Sequence, residues 1–329
     1  MTLPADTPTS VSAFARRFTD EAACARHLAS LRWPSGFVCR RCEGASAWQL
    51  AARPRVFECR GCGAQNSVTA GTVMHRTRVS LVDWFWAAWS FSQDKRGISA
   101  LQLSKQLGRR YETVWKLLQK LRVALAEDDS AFPLRGVVEA DEAYVGGKGR
   151  AGHGGRSLKD HRRSLVVCAV ERYETAEGNP GIRGTGLGAG SARLRVLPRA
   201  GGEELKGFLA EVCASQTTVR SDGWSGYIGL AREGLEHDRV VVGDDSARAS
   251  EVLPVVHTLF SNMQSWLVGT FHGVSRMWLP RYLQEFTWRF NRRSHEPRLW
   301  CYLLRRAVTK PWVKHDDVPA AEPLLQIAA

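Results

Sequence analysis

Apolar residues recur along this chain in two rhythms. In the first half they fall at three- and four-residue steps. SAFARRF and EAACARHLASL predict a short helical lead-in within residues 1–30. LVDWFWAAWSF (81–91) is apolar almost all round and predicts a buried helix, with Trp84, Phe85, Trp86 and Trp89 as core rather than as a surface for stacking bases. GISALQLSKQLGRRYETVWKLLQKLRVAL (97–125) predicts a helix from about Ser99, a turn at Leu107-Gly108-Arg109 and a second helix from about Tyr111. Val114, Leu117, Leu118, Leu121 and Leu125 form the apolar stripe of that second helix.

After residue 133 the rhythm changes to short β-branched runs alternating with helical ones. Strands are expected at 136–144, 164–170, 192–197, 217–222 and 239–242. Helices are expected at 202–214, near 225–232, around 255–268 and at 281–293. In the last of these Tyr282, Leu283, Phe286 and Phe290 point inward, leaving Arg289, Arg292 and Arg293 outward. Glycine-rich stretches at 146–155 and 181–190 are expected to be loops. The run GTGLGAG (184–190) fails as a nucleotide loop, because no strand-then-helix unit surrounds it. The order β-β-β-α-β-α-β-α is that of a ribonuclease H-like mixed sheet flanked by helices. The expected class is therefore α+β and multidomain: a lead-in (1–30), a cysteine-bearing module (31–78), a helix-turn-helix segment (79–130), a ribonuclease H-like domain (131–310) and a tail (311–329).

The cysteines sharpen the second of these regions. Cys39-Arg-Arg-Cys42 and Cys59-Arg-Gly-Cys62 are two CxxC pairs separated by sixteen residues. Each two-residue gap lets a tight turn aim two thiolates at one ion, and two such knuckles complete a tetrahedron. A structural zinc ribbon is expected, with every position filled by protein and none left for catalysis.

Charge adds a partner class. The 329 residues include 46 Lys+Arg against 33 Asp+Glu, a formal charge of +13. That surplus fits a polyanion, above all nucleic acid, as well as a merely basic soluble protein. The basic positions suited to DNA are Arg40, Arg41 and Arg60 on the knuckles and Arg109, Arg110, Thr113 and Lys116 at the helix-turn-helix. Arg289, Arg292 and Arg293 and the loop 148–163 add to them. With no apolar run of 18 residues and no secretory leader in the first residues, neither a membrane span nor export is expected, which points to the cytoplasm.

Two acids stand where chemistry is expected. Asp141 ends the first strand of the ribonuclease H-like region and Asp222 the fourth. Those strands lie side by side in that topology, so carboxylates 81 residues apart in sequence converge. Such a pair is a hard-oxygen site for Mg²⁺ or Mn²⁺. Two ions there would activate the attacking oxygen and stabilise the leaving oxygen of a phosphodiester. Strand alternation puts Glu139 on the face of Asp141, as a supporting or a solvated acid, and Glu142 on the other.

EADEAYVGGK (139–148), SDGWSGY (221–227) and HTLFSNMQSWLVGTFHGVSRMWLPRYLQEFTWRFNRR (257–293) resemble the DDE-type transposases of bacterial insertion sequences, in the ISXO2-like group that carries an N-terminal zinc ribbon. The resemblance spans about residues 20–295. It implies cleavage at element ends and strand transfer with Mg²⁺, on double-stranded DNA, by a homodimer or higher assembly at the bacterial nucleoid. It makes Asp141 and Asp222 the first two metal ligands. The third place matches Asn262, with His257, 34 intervening residues after Asp222, as the alternative. Five residues on a helix turn about 140°, so the two cannot face the metals equally. Gln264 and Gly269 stand where relatives carry basic residues. A non-catalytic DNA-binding protein from a decayed element, or a Mg²⁺ nuclease without strand transfer, are the competing expectations.

Overall fold

A computed structural model of the chain describes residue 4 and residues 7–125, 132–146, 163–241 and 246–311. The basic loop 148–163, apart from its last residue, and the tail beyond 311 lie outside them. The chain divides into two compact units: Met1–Ala126 with Arg292–Val318, and Glu127–Asn291 with Pro319–Ala329. Among the described residues no helix is long and apolar enough to cross a membrane.

The first unit begins with α1 (Val11–Arg17) and α2 (Glu21–Arg32), whose N-caps Ser10 and Asp20 accept from the Ala13 and Ala23 amides. A small antiparallel sheet follows: β1 (Ala47–Gln49), β2 (Val56–Cys59) and β3 (Gln65–Ser67). Two arginines fasten it to its surroundings. Arg32 of α2 donates to the Val68 and Ala70 carbonyls, and Arg55 to those of Thr77 and Val79 while pairing with Glu21. Then come α3 (Leu81–Gln93), α4 (Ala100–Leu107) and α5 (Tyr111–Ala124). Gly108 ends α4 in the left-handed region at φ 61°, which permits the tight turn into α5.

The second unit is a five-stranded sheet of β4 (Val137–Val145), β5 (Ser164–Glu174), β6 (Leu187–Leu197), β7 (Thr218–Ser221) and β8 (Glu236–Arg239), in the order β6-β5-β4-β7-β8. The first three pair antiparallel; β4, β7 and β8 run parallel. This is the ribonuclease H-like topology, with β4 and β7 adjacent. One face packs on α6 (Gly202–Val212) through Leu205, Phe208, Leu209 and Val212. The other packs on α8 (Pro254–Phe271) and α9 (Leu279–Asn291), with α7 (Ser246–Val252) ahead of α8. Helices on both faces explain why Ser164–Val170 of β5 is buried at every position.

Several boundaries differ from the sequence expectation. β6 starts at Leu187, inside the glycine-rich run taken as a loop, because its ladder with β5 continues to Glu174↔Leu187. The helix expected near 225–232 is two short 3₁₀ turns, Ser225–Tyr227 and Leu230–Glu233. The last strand lies at 236–239 rather than 239–242: its Glu-His-Asp-Arg composition hides an edge strand held by the ladder to β7. Asp141 does not end its strand, which runs four residues further, to Val145.

The last helix, α10 (Leu299–Thr309), belongs to the first unit and not to the ribonuclease H-like domain that was expected to reach residue 310. It packs against α2, α3 and α5. The buried Trp300 ring lies 5.1 Å from that of Phe14, 5.5 Å from Phe18 and 5.6 Å from His27, and its indole N–H donates to the Pro8 carbonyl. The apolar stripe of α10 was visible in sequence, but a stripe does not name the surface that covers it. Trp300→Ala should cost about 3–5 kcal/mol. Hydrogen exchange should then quicken in α2 and α3; unchanged protection there would contradict this packing.

Candidate metal, catalytic and DNA-binding sites

The four expected zinc ligands come together. Cys39 and Cys59 close β-knuckles beside Cys42 and Cys62, and all four sulfurs lie within 4.8 Å of one another. The Cys39–Cys62 and Cys42–Cys59 sulfur separations are 3.7 and 3.6 Å. A tetrahedral Zn²⁺ with bonds of about 2.3 Å sets its sulfurs about 3.8 Å apart, so the cage has the right size. The Arg41 amide points at the Cys39 sulfur and, with other hydrogen bonds, lowers the pKa of that thiol. The donor set and its spacing fit a structural zinc.

The acidic site is built by β4 and β7. Their ladder runs Val137↔Thr218, Val138↔Val219, Glu139↔Arg220 and stops. A step of two residues leads from Glu139 to Asp141 and from Arg220 to Asp222, so both aspartates leave the end of the shared ladder. Asp222 accepts from the Trp224 amide at 3.0 Å, closing a turn through Gly223 at φ 88°. A Cβ at 223 would sit 2.9 Å from the Val241 Cα, so only glycine fits there. Asp141 stays on the β4–β5 ladder opposite Cys168, a buried thiol that burial keeps protonated and so out of competition for a metal.

His257 of α8 reaches this place. Its Nε2 lies 3.2 Å from Asp141 Oδ2, and its Nδ1 is 3.1 Å from the Ser250 hydroxyl. The two side chains are 26% and 15% exposed, open enough to take a ligand. Asn262 is exposed five residues further along α8. Asp141 with the His257 imidazole beside it is a donor pair that could hold Mg²⁺, or Mn²⁺ somewhat better.

Glu139 is neither solvated nor loosely placed. It is fully buried, accepts from the Val255 and Val256 amides at 2.9 and 3.0 Å, and has Arg172 3.6 Å away. It therefore caps the N-terminus of α8 from the neighbouring strand, one helical turn below His257. Burial raises its pKa despite these partners. Glu142, on the other face of β4, accepts from the Tyr227 hydroxyl at 2.8 Å. Tyr227 was not singled out from sequence; an aromatic in an SDGWSGY run carries no mark of its partner.

The expected DNA contacts divide. Arg40, Arg41 and Arg60 are exposed on the knuckles, with Arg60 over the Trp48 ring and Arg40 donating to the Ala70 carbonyl. Arg110 and Lys116 are exposed and Thr113 half-buried at the start of α5, while Arg109 pairs with Asp83 of α3 at 2.9 Å. Arg289 turns back on fully buried Glu285 and is only 11% exposed, so it is a packing residue rather than an outward one. α9 ends at Asn291, leaving Arg292 half-buried and Arg293 exposed beyond it.

These features define a two-part protein, a Cys₄ zinc ribbon joined to a ribonuclease H-like domain. Residues 133–291 match the family model of the ISXO2-like transposase domain, and residues 19–65 that of the transposase zinc-ribbon domain. No curated protein matches the chain. The chain belongs to the insertion-sequence DDE transposases that pair an N-terminal zinc ribbon with an ISXO2-like domain.

Proposed function

We propose that the chain cuts the ends of its own insertion sequence and joins the freed 3′-hydroxyl to target DNA, with divalent metal held by Asp141, Asp222 and His257. The observation that carries this is the meeting of Asp141, at the end of the β4–β7 ladder, with His257 of α8. Mg²⁺ or Mn²⁺ bound there supplies polarisation of the attacking and leaving oxygens of a phosphodiester. The protein's own part is to hold the donors. Glu139 seats α8, and Ser250 fixes the His257 ring so that Nε2 faces Asp141. The contact with Asp141 favours His257 over Asn262 as the third ligand.

The knuckle arginines and the start of α5 would bind element ends as double-stranded DNA, through a homodimer or higher assembly in the cytoplasm. Their phosphate contacts would release counterions, so affinity should fall steeply with salt.

Purified protein with a labelled element-end duplex and Mg²⁺ should nick at the element boundary. No nicking under any divalent metal would instead support the non-catalytic DNA-binding protein, which the neutral Gln264 and Gly269 would suit. The third ligand has its own test. His257→Ala should lose at least about a hundredfold in nicking rate, while Asn262→Ala stays near the parent. The reverse result would move the role to Asn262.

A further inference from the structure

The two aspartates reach the site from different directions. Asp141 sits within a long strand, held on β5 through Val145. Asp222 sits one residue beyond a four-residue strand, at the mouth of an irregular segment made of the Asp222–Trp224 turn and the 3₁₀ turn Ser225–Tyr227. Metal binding needs the two carboxylates at a fixed separation, so the segment that follows Asp222 has to be tied to the strand that carries Asp141.

One bond does this. The Tyr227 hydroxyl donates to Glu142 Oε2 at 2.8 Å, joining the residue five after Asp222 to the residue one after Asp141. Tyr227 is fully buried, and its ring packs in the core between the sheet and α6, which holds the anchor. Glu142 points to the face of β4 opposite Asp141 and is engaged from that side, so it is not a third ligand. The Tyr227 phenol is pushed well above its ordinary pKa by burial and by the Glu142, Asp141 and Asp222 carboxylates. A protonated phenol is the donor that this bond requires.

We propose that Tyr227 and Glu142 are positioning residues, a clamp across the sheet that fixes Asp222 relative to Asp141 for metal binding. This rests on the metal site described above. Groups that orient metal ligands typically change metal affinity by about 10- to 100-fold when removed.

The test is Mn²⁺ binding to the full chain, followed by titration calorimetry, with thermal midpoint and zinc content measured on every variant. Tyr227→Phe removes one hydroxyl and keeps the buried ring. It should weaken Mn²⁺ binding at least about tenfold with the thermal midpoint and zinc content little changed. Glu142→Ala should do the same, whereas Glu142→Gln keeps a carbonyl to accept from the phenol and should stay within about threefold of the parent. Parent-like Mn²⁺ affinity in Tyr227→Phe overturns the clamp. Equal losses in Glu142→Gln and Glu142→Ala also overturn it, because the charge of Glu142 would then matter and not its hydrogen bond. If Asp141→Asn binds Mn²⁺ as the parent does, the metal site itself is wrong and the clamp falls with it.

Discussion

Asp141→Asn and Asp222→Asn should each leave a folded, DNA-binding protein that no longer nicks an element end. Asparagine keeps the size of aspartate, and its carbonyl can still accept from the Trp224 amide at 222 or meet His257 at 141. What disappears is one of the two negative charges that, in the proposed site, would draw divalent metal to the end of the β4–β7 ladder. Metal stabilisation of a phosphoryl centre is worth several kcal/mol, and each ~1.4 kcal/mol is a factor of ten in rate. The loss should therefore be roughly a thousandfold or more. It is measured as nicking of a labelled duplex in Mg²⁺, with zinc content and duplex affinity as controls. Nicking by either variant at the parent rate would remove that aspartate from the site.

Stripping zinc is the second large effect. The ribbon has three strands of three or four residues and a small apolar core, in which Cys39, Cys59, Val68, Val73 and Met74 are buried and Trp33 packs on Phe37 and Phe57. Its fold rests on the thiolate cage and on the arginine staples at Arg32 and Arg55. Structural zinc contributes about 10–16 kcal/mol in zinc-finger peptides, far more than two partly exposed guanidiniums supply. Cys42→Ser or exhaustive chelation should abolish hydrogen-exchange protection across residues 39–67. The aromatic core around Trp300 is separate and should keep α3 and α10 protected. Duplex affinity should fall with the ribbon, because Arg40, Arg41 and Arg60 lose their fixed positions. A ribbon that stays protected without metal would show that the sheet folds on its own.

Much of the architecture was legible in the sequence. The two CxxC pairs gave the ribbon because thiolate chemistry leaves few alternatives at that spacing. The stripe from Val114 to Leu125, with glycine at 108, gave the α4–α5 hairpin. Alternating strand and helix runs gave the order of the second unit and the adjacency of β4 and β7. Less legible were the edges. β8 is polar because an edge strand needs only one ladder, and β6 begins in glycines because its backbone pairs with β5 without needing side chains there.

The sequence by itself determined local geometry and the identity of the reactive groups: which cysteines can share an ion, which residues form helices, which acids stand at a strand. These follow from spacing, which is a property of neighbours along the chain. Only the tertiary structure decided what crosses between elements. It brought His257 to Asp141, turned Glu139 into the cap of α8 and joined Tyr227 to Glu142. It also returned α10 to the N-terminal core. Each of these is a choice among faces of similar polarity, made by packing and by the need of buried carboxylates for donors. No periodicity records a partner 85 or more residues away.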